Sequence, residues 1–253
     1  MTMQSYSRHI GFELVCNFRD LGGYLTLGGR KVAWRRLFRS AELRHLSKRD
    51  LIRLRKETGL ISVIDLRNAT ELERQGIGSL NELGFQYYSV PLITDSRDSN
   101  KEIEFLRGYT NMGEVYLSYI RHKEIGRRVV EVLRIIAKPV NHPVVFHCAA
   151  GKDRTGILAA IVLSVLGVTD DDIIDDYTLS APYMRELSNR LNSNPKIAED
   201  TKVLPSYTQE ATPESMSLFL SILKQEYGSA REYAEIHGAE VSLFNRLESG
   251  LLT

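Results

Sequence analysis

Apolar positions along the chain fall into two rhythms. Residues 60–66 (LISVIDL) and 144–147 (VVFH) are short β-branched runs, the pattern of strands buried on both faces. Leu37-Phe38-Arg39 reads as a short extended segment and 85–91 (FQYYSVP) as a further strand. Residues 24–27 and 30–34 read as a hairpin around Gly28-Gly29, a pair that supplies the positive φ angles of a two-residue turn. Helical signals lie between these runs. Ser47 with Asp50 starts a helix that runs to about Glu57, and Asn68 with Glu71 marks another start. Residues 114–137 carry helical spacing at Val115, Tyr119, Arg127, Val130, Leu133 and Ile136. Residues 155–166 form a helix that stops at Gly167. Further helices are predicted over 170–180, 182–192, 213–227, 230–237 and 240–247, with Gly228 and Gly238 as stops. Residues 93–112 are polar and without clear rhythm, either a loop over a site or a long surface connection. Alternating strands and helices predict an α/β fold. A mainly parallel central sheet is flanked by helices, with an N-terminal hairpin and extra helices from about residue 170. With no compositional break, residues 1–253 read as one domain.

Composition narrows the function classes. Hydrophobic residues make up 43% and charged residues 26%, ordinary globular values. The most apolar stretch, 157–166, falls short of the ~20 residues a bilayer requires, and residues 1–6 carry no leader pattern. A cytoplasmic protein without integral membrane contact is expected. Two cysteines, Cys16 and Cys148, build neither a disulfide framework nor a Cys-rich zinc site. The net charge of +1 argues against a nucleic-acid binder. It hides a gradient: residues 1–56 sum to +9 and residues 170–253 to −8. The two ends read as oppositely charged surfaces that attract each other, or the first as a face for an anionic ligand.

The chemistry concentrates where the 144–147 strand passes through a short loop, Cys148-Ala149-Ala150-Gly151-Lys152-Asp153-Arg154, into the 155–166 helix. Ligands of open α/β sheets bind at the carboxyl ends of strands, and a helix N-terminus there favours an anion. Cys148 sits at the focus of those N–H groups, where a thiol is stabilised as thiolate. The planar fork of Arg154 suits two oxygens of a phosphoryl group. Thr155 stands ready to hydrogen-bond the sulfur. Asp153 follows Lys152, so this is not a Walker A loop, and the second cysteine of a redox pair is missing. His147 precedes Cys148 on an extended strand, so the two side chains point to opposite faces and do not form a protease-type pair.

The loop 147–156 (HCAAGKDRTG) resembles the H-C-x5-R-[ST]-G loop of cysteine-dependent phosphatases. More narrowly, it is similar to the bacterial tyrosine and dual-specificity phosphatases typified by mycobacterial tyrosine phosphatase B. Residues 17–23 (NFRDLGG), 38–40 (FRS), 63–67 (VIDLR) with Glu71, Val90-Pro91, 176–180 (DYTLS) and 227–229 (YGS) extend the resemblance across 11–250. It implies two-step hydrolysis of a phosphoric monoester without cofactor or metal. Cys148 forms the phosphocysteine. Arg154 and the backbone of Ala149, Ala150, Gly151, Lys152 and Asp153 hold the phosphoryl oxygens. His147 orients the loop from behind. The general acid is Asp153, inside the loop, with Asp95 the alternative on a separate loop. Arg19 and Asp20 read as a structural ion pair, and Arg39, Ser40, Asp65 and Arg67 as a buried polar network. Cys16 reads as a buried thiol or as a protective disulfide partner of Cys148. Expected partners are phosphotyrosine proteins or peptides, phosphoinositides, and inorganic phosphate in the loop. Lys152 is the rim cation expected to read an inositol headgroup. The rival readings are a mainly phosphoinositide phosphatase and a phosphate-binding pseudophosphatase.

Overall fold

A computed structural model of the chain describes residues 7–93, 99–192 and 203–253. Its strands are β1 (Arg19–Asp20), β2 (Leu37–Ser40), β3 (Ser62–Asp65), β4 (Gln86–Ser89) and β5 (Val144–His147). They form one sheet in the order β1-β2-β5-β3-β4, parallel throughout except that β1 runs antiparallel to β2. The helices are α1 (Lys48–Thr58), α2 (Ala69–Gln75), α3 (Ser99–Arg107), α4 (Met112–Ile120), α5 (Lys123–Ile136) and α6 (Asp153–Val165). The later helices are α7 (Asp170–Thr178), α8 (Ala181–Asn192), α9 (Pro213–Tyr227), α10 (Ala230–Ile236) and α11 (Val241–Leu251). No helix among the described residues is long and apolar enough to cross a membrane.

Strand alternation divides the apolar interior. Leu37, Ile64, Val144 and Phe146 face the larger core with α4, α5, α6 and α9. Phe38, Val63 and Val145 face a smaller core closed by Phe18 and by Leu51 and Leu54 of α1. The central strand β5 is therefore buried on both sides, as its unbroken apolar run requires. Ser40, Asp65 and His147 end their strands in register. The loop after β5 thus emerges between the ends of β2 and β3.

Several local expectations change. The 24–34 hairpin is held by bridges, and only Gly29 has positive φ, at 81°. Thr26 and Arg30 flank a three-residue loop, in which Gly29 takes the left-handed position that closes a bulged turn. Residues 114–137 are two helices. The chain turns at Arg121-His122, where His122 is extended, and Arg127, taken as part of the buried stripe, is exposed. The polar 93–112 stretch contains α3, while residues 94–98, and with them Asp95, lie outside the described residues. Helix α6 begins at Asp153, two residues earlier than the spacing predicts, so Asp153 and Arg154 lie in its first turn.

Candidate active site

The loop after β5 is shaped by bonds to its outer side. Cys148 C=O accepts from His147 Nδ1 at 3.2 Å, and Ala149 C=O from Glu42 N–H at 3.0 Å. The Asn17 amide donates to Ala150 C=O at 3.2 Å and Gly151 C=O at 3.1 Å, and Arg39 adds a bond to Gly151 C=O at 2.8 Å. A peptide unit is planar with N–H and C=O opposed. Drawing these carbonyls outward turns the N–H groups of residues 149–152 towards the loop centre, beside the unpaired N–H groups of the first turn of α6. Gly151 allows the turn: its φ is 68°, and a Cβ there would lie 2.5 Å from Ser40 C=O. Cys148 sits at the base of the loop and is 2% exposed.

Arg154 is held end-on by Glu71, with Nη1 to Oε2 at 2.5 Å and Nη2 to Oε1 at 2.7 Å. That fork uses one N–H of each terminal nitrogen and leaves the Nε edge of the guanidinium available for two oxygens. Burial opposes the Arg154 charge, but Glu71 and Cys148 outweigh it and raise its pKa. Glu71 also caps α2. Its Oε2 accepts from Asn68 N–H while Asn68 Oδ1 accepts from Glu71 N–H, both at 2.9 Å.

Asp153 and Arg154 form part of the wall of a cleft of about 410 Å³. Its lining includes polar residues such as Asn68, Thr70, Arg74, Gln75, Glu102 and Thr208, together with Ile93, Leu106, Met112 and Tyr119.

Two buried polar groups brace the loop from behind. Asp65 accepts from Arg67 Nη2 at 2.7 Å and from Tyr87 at 2.8 Å, while Arg67 reaches Glu42 at 3.1 Å. His147 lies over Asp65, with Nε2 3.6 Å from Oδ2. Burial lowers the His147 pKa, and although burial of Asp65 works the other way, His147 and Arg67 hold that carboxyl below its ordinary value. On the opposite side Asp176 receives Arg19 at 2.9 Å and Arg39 at 2.6 Å. Arg19 in turn bonds the Asn17 side chain that shapes the loop.

A family model described as the tyrosine phosphatase family matches residues 10–253. The chain belongs to this family. A Cupriavidus necator protein named among the tyrosine-protein phosphatases is 34% identical over 180 residues. That match covers 67% of this chain and 62% of the relative's own length. The triple specificity protein phosphatase PtpB of Mycobacterium tuberculosis is 28% identical over 273 residues, covering 93% of this chain and 96% of PtpB. Among solved structures, the Siw14 catalytic core matches at a TM-score of 0.40 and 16% identity, covering 72% of this chain and 78% of that one.

Within this phosphatase-family chain, Cys148, Ala149, Ala150, Gly151, Lys152, Asp153 and Arg154 lie together in the loop, with His147 directly behind. Three expectations need correction. Lys152 is no rim cation: it is 2% exposed and its Nζ donates to Asp153 Oδ1 at 2.6 Å. Burial works against its ammonium, but Asp153 outweighs this and its pKa is raised. Arg19 and Asp20 do not pair with each other. Asp20 accepts from the N–H groups of Gly22 and Arg35, each at 2.8 Å, because its side chain caps that turn, whereas Arg19 is drawn to Asp176. Thr155 Oγ1 is buried with no hydrogen-bond partner, so the expected bond to sulfur is not formed. Cys16 is half-buried and not in a disulfide. Sequence reasoning missed Asn17, Glu42, Tyr116 and Asp176. Asn17 and Asp176 lie inside the quoted NFRDLGG and DYTLS stretches, where they stood among residues of more obvious charge. Glu42 reaches the loop through its backbone N–H and Arg67 through its side chain, and Tyr116 lies within a helical run; nothing in the spacing marks either.

Proposed function

We propose that the chain hydrolyses phosphoric monoesters, with phosphotyrosine as the preferred substrate, through a phosphocysteine and without a metal or other cofactor, as one domain. The outward tethering of every carbonyl from Cys148 to Gly151 carries this reading. It leaves a ring of N–H donors around a thiol with a guanidinium at the lip, a cradle for three phosphoryl oxygens and their transition-state charge. Cys148 attacks phosphorus as Asp153 protonates the departing oxygen. Water, deprotonated by Asp153, then hydrolyses the intermediate. Arg154 clamps two oxygens throughout, and His147 steadies the loop.

The apolar residues of the cleft lining, Ile93, Leu106, Met112 and Tyr119, favour an aryl ring beside the phosphoryl group. The triple specificity named for PtpB supports further turnover of other monoesters, and we extend this to phosphoinositides. With Lys152 turned inward, exposed Arg74 is the cation that a second phosphate would meet in the cleft wall. The test is turnover of p-nitrophenyl phosphate and a phosphotyrosine peptide in EDTA, alongside a phosphoinositide. The wild-type chain turns over all three, fastest on the peptide. Cys148→Ser loses ~10³-fold or more in rate yet still binds phosphate. Full activity in that variant, or a phosphoinositide rate above the peptide rate, overturns the respective part of the proposal.

A further inference from the structure

Tyr116 of α4 is completely buried, and its phenol is turned towards the loop rather than away from it. Its hydroxyl donates to Asp153 Oδ1 at 2.7 Å and lies 2.7 Å from the Tyr177 hydroxyl of α7. A phenol has one proton to give. Tyr116 gives it to the carboxyl, so Tyr177 donates to Tyr116, and the direction of the chain is fixed: Tyr177, Tyr116, Asp153. Lys152 donates to the same Oδ1 at 2.6 Å. The rings are locked, since Tyr116 meets Tyr177 and Phe219 of α9 edge to face, each at 6.1 Å between centroids.

Both of these bonds fall on one oxygen of Asp153. Oδ1 accepts whether the carboxyl is ionised or carries a proton on Oδ2, so the contacts survive both states. Asp153 meanwhile remains 34% exposed along the cleft. We infer that Tyr116, backed by Tyr177, is a positioning residue for the general acid: it fixes the carboxyl by Oδ1 so that Oδ2 carries the proton towards the leaving oxygen. This rests on the assignment of Asp153 given above. In the first step the S–P bond forms, the P–O bond breaks and the Oδ2 proton passes to the leaving oxygen. In the second, Oδ2 takes a proton from the attacking water as the P–S bond breaks and the thiolate departs. Oδ1 keeps its donors throughout, so no reorientation separates the two roles.

The test is a leaving-group series of aryl phosphates, from 2,4-dinitrophenyl to phenyl, measured for wild type, Tyr116→Phe, Tyr177→Phe and Asp153→Asn. Tyr116→Phe removes one oxygen and keeps the ring packing. Its kcat is expected to fall ~10-fold on phenyl phosphate and less than ~2-fold on the dinitrophenyl ester, with KM unchanged on both. Tyr177→Phe shows the same pattern, weaker. Thermal unfolding and vanadate binding report whether the loop is intact, and both are expected to match wild type. A loss of equal size on both esters, or none on either, while Asp153→Asn shows a steep dependence, overturns the role of Tyr116 and leaves Asp153 as the acid. A flat series for Asp153→Asn removes the acid assignment itself, and the positioning role with it.

Discussion

Glu71 joins a local signal to the site chemistry. As the N3 residue of α2 it completes a capping box, and that much follows from Asn68 three positions earlier. Its second contact, end-on to Arg154 some eighty residues later, cannot be read from spacing, because it depends on α2 following the strand beside β5. The two contacts are separable. Glutamine caps as well as glutamate, so Glu71→Gln keeps the helix start, while it removes the anion and puts an amide NH2 in place of one of the two oxygens that accept from Arg154. A hydrogen bond to a charged group contributes about 1.5–3 kcal/mol. Losing the charge and one of the two bonds to Arg154 is expected to lower kcat by ~10-fold, with a smaller change in KM and an unchanged unfolding midpoint. A midpoint that falls with the rate would show Glu71 to be mainly a helix cap. Lys152 illustrates the opposite failure of residue-level reading. Its charge was legible, but its direction was set by the Asp153 carboxylate beside it, which Tyr116 of another helix also bonds.

At the level of elements, the strands and most helix starts were readable because their signals are local: a cap, a β-branched run, a stop glycine. What periodicity missed was the break between α4 and α5, since apolar residues on both sides of Arg121-His122 share an apparent phase while burying different faces. The seating of the 148–154 loop against the end of β2 was equally illegible, although the glycine that permits it was not. In Gly151→Ala a methyl group would meet Ser40 C=O at 2.5 Å and Ala41 N at 2.6 Å, both backbone atoms, at a φ of 68°. The loop has to lift off β2, and its bonds to Asn17 and Arg39 lengthen with it. The cost is about 1–3 kcal/mol of stability, together with a loss of ~100-fold or more in kcat, measured by urea unfolding and by turnover of p-nitrophenyl phosphate. A variant that keeps its full rate would mean that the N–H ring tolerates displacement and does not hold the phosphoryl oxygens.

Over the whole molecule, the charge gradient in the sequence becomes a set of contacts between the chain's two ends. Arg30 pairs with Glu248, and the backbone of Lys31 exchanges bonds with Thr253 at 2.9 Å. Arg19 and Arg39 converge on Asp176. The attraction was legible as net charge; that its centre is one fully buried carboxylate was not, because burial depends on the packing of α7 against α6 and α9. Burial alone would raise the Asp176 pKa, but the two guanidinium groups and their hydrogen bonds reverse this and hold it well below the ordinary carboxylate range. The sign of the consequence follows. With the folded pKa depressed, the unfolded chain binds more protons between the two values, so stability rises with pH there. The contribution of Asp176 is complete above about pH 4, the range of an unfolded aspartate, and is lost as the pH falls further. Asp176→Asn leaves two buried cations without their anion and is expected to destabilise the fold by about 3–5 kcal/mol at neutral pH. The gap between wild type and variant, measured by urea unfolding at neutral pH and at steps below pH 4, should narrow as the wild-type carboxylate takes up its proton. A gap that stays constant through that acid range would show that Asp176 acts through shape and hydrogen bonding, with its charge contributing nothing.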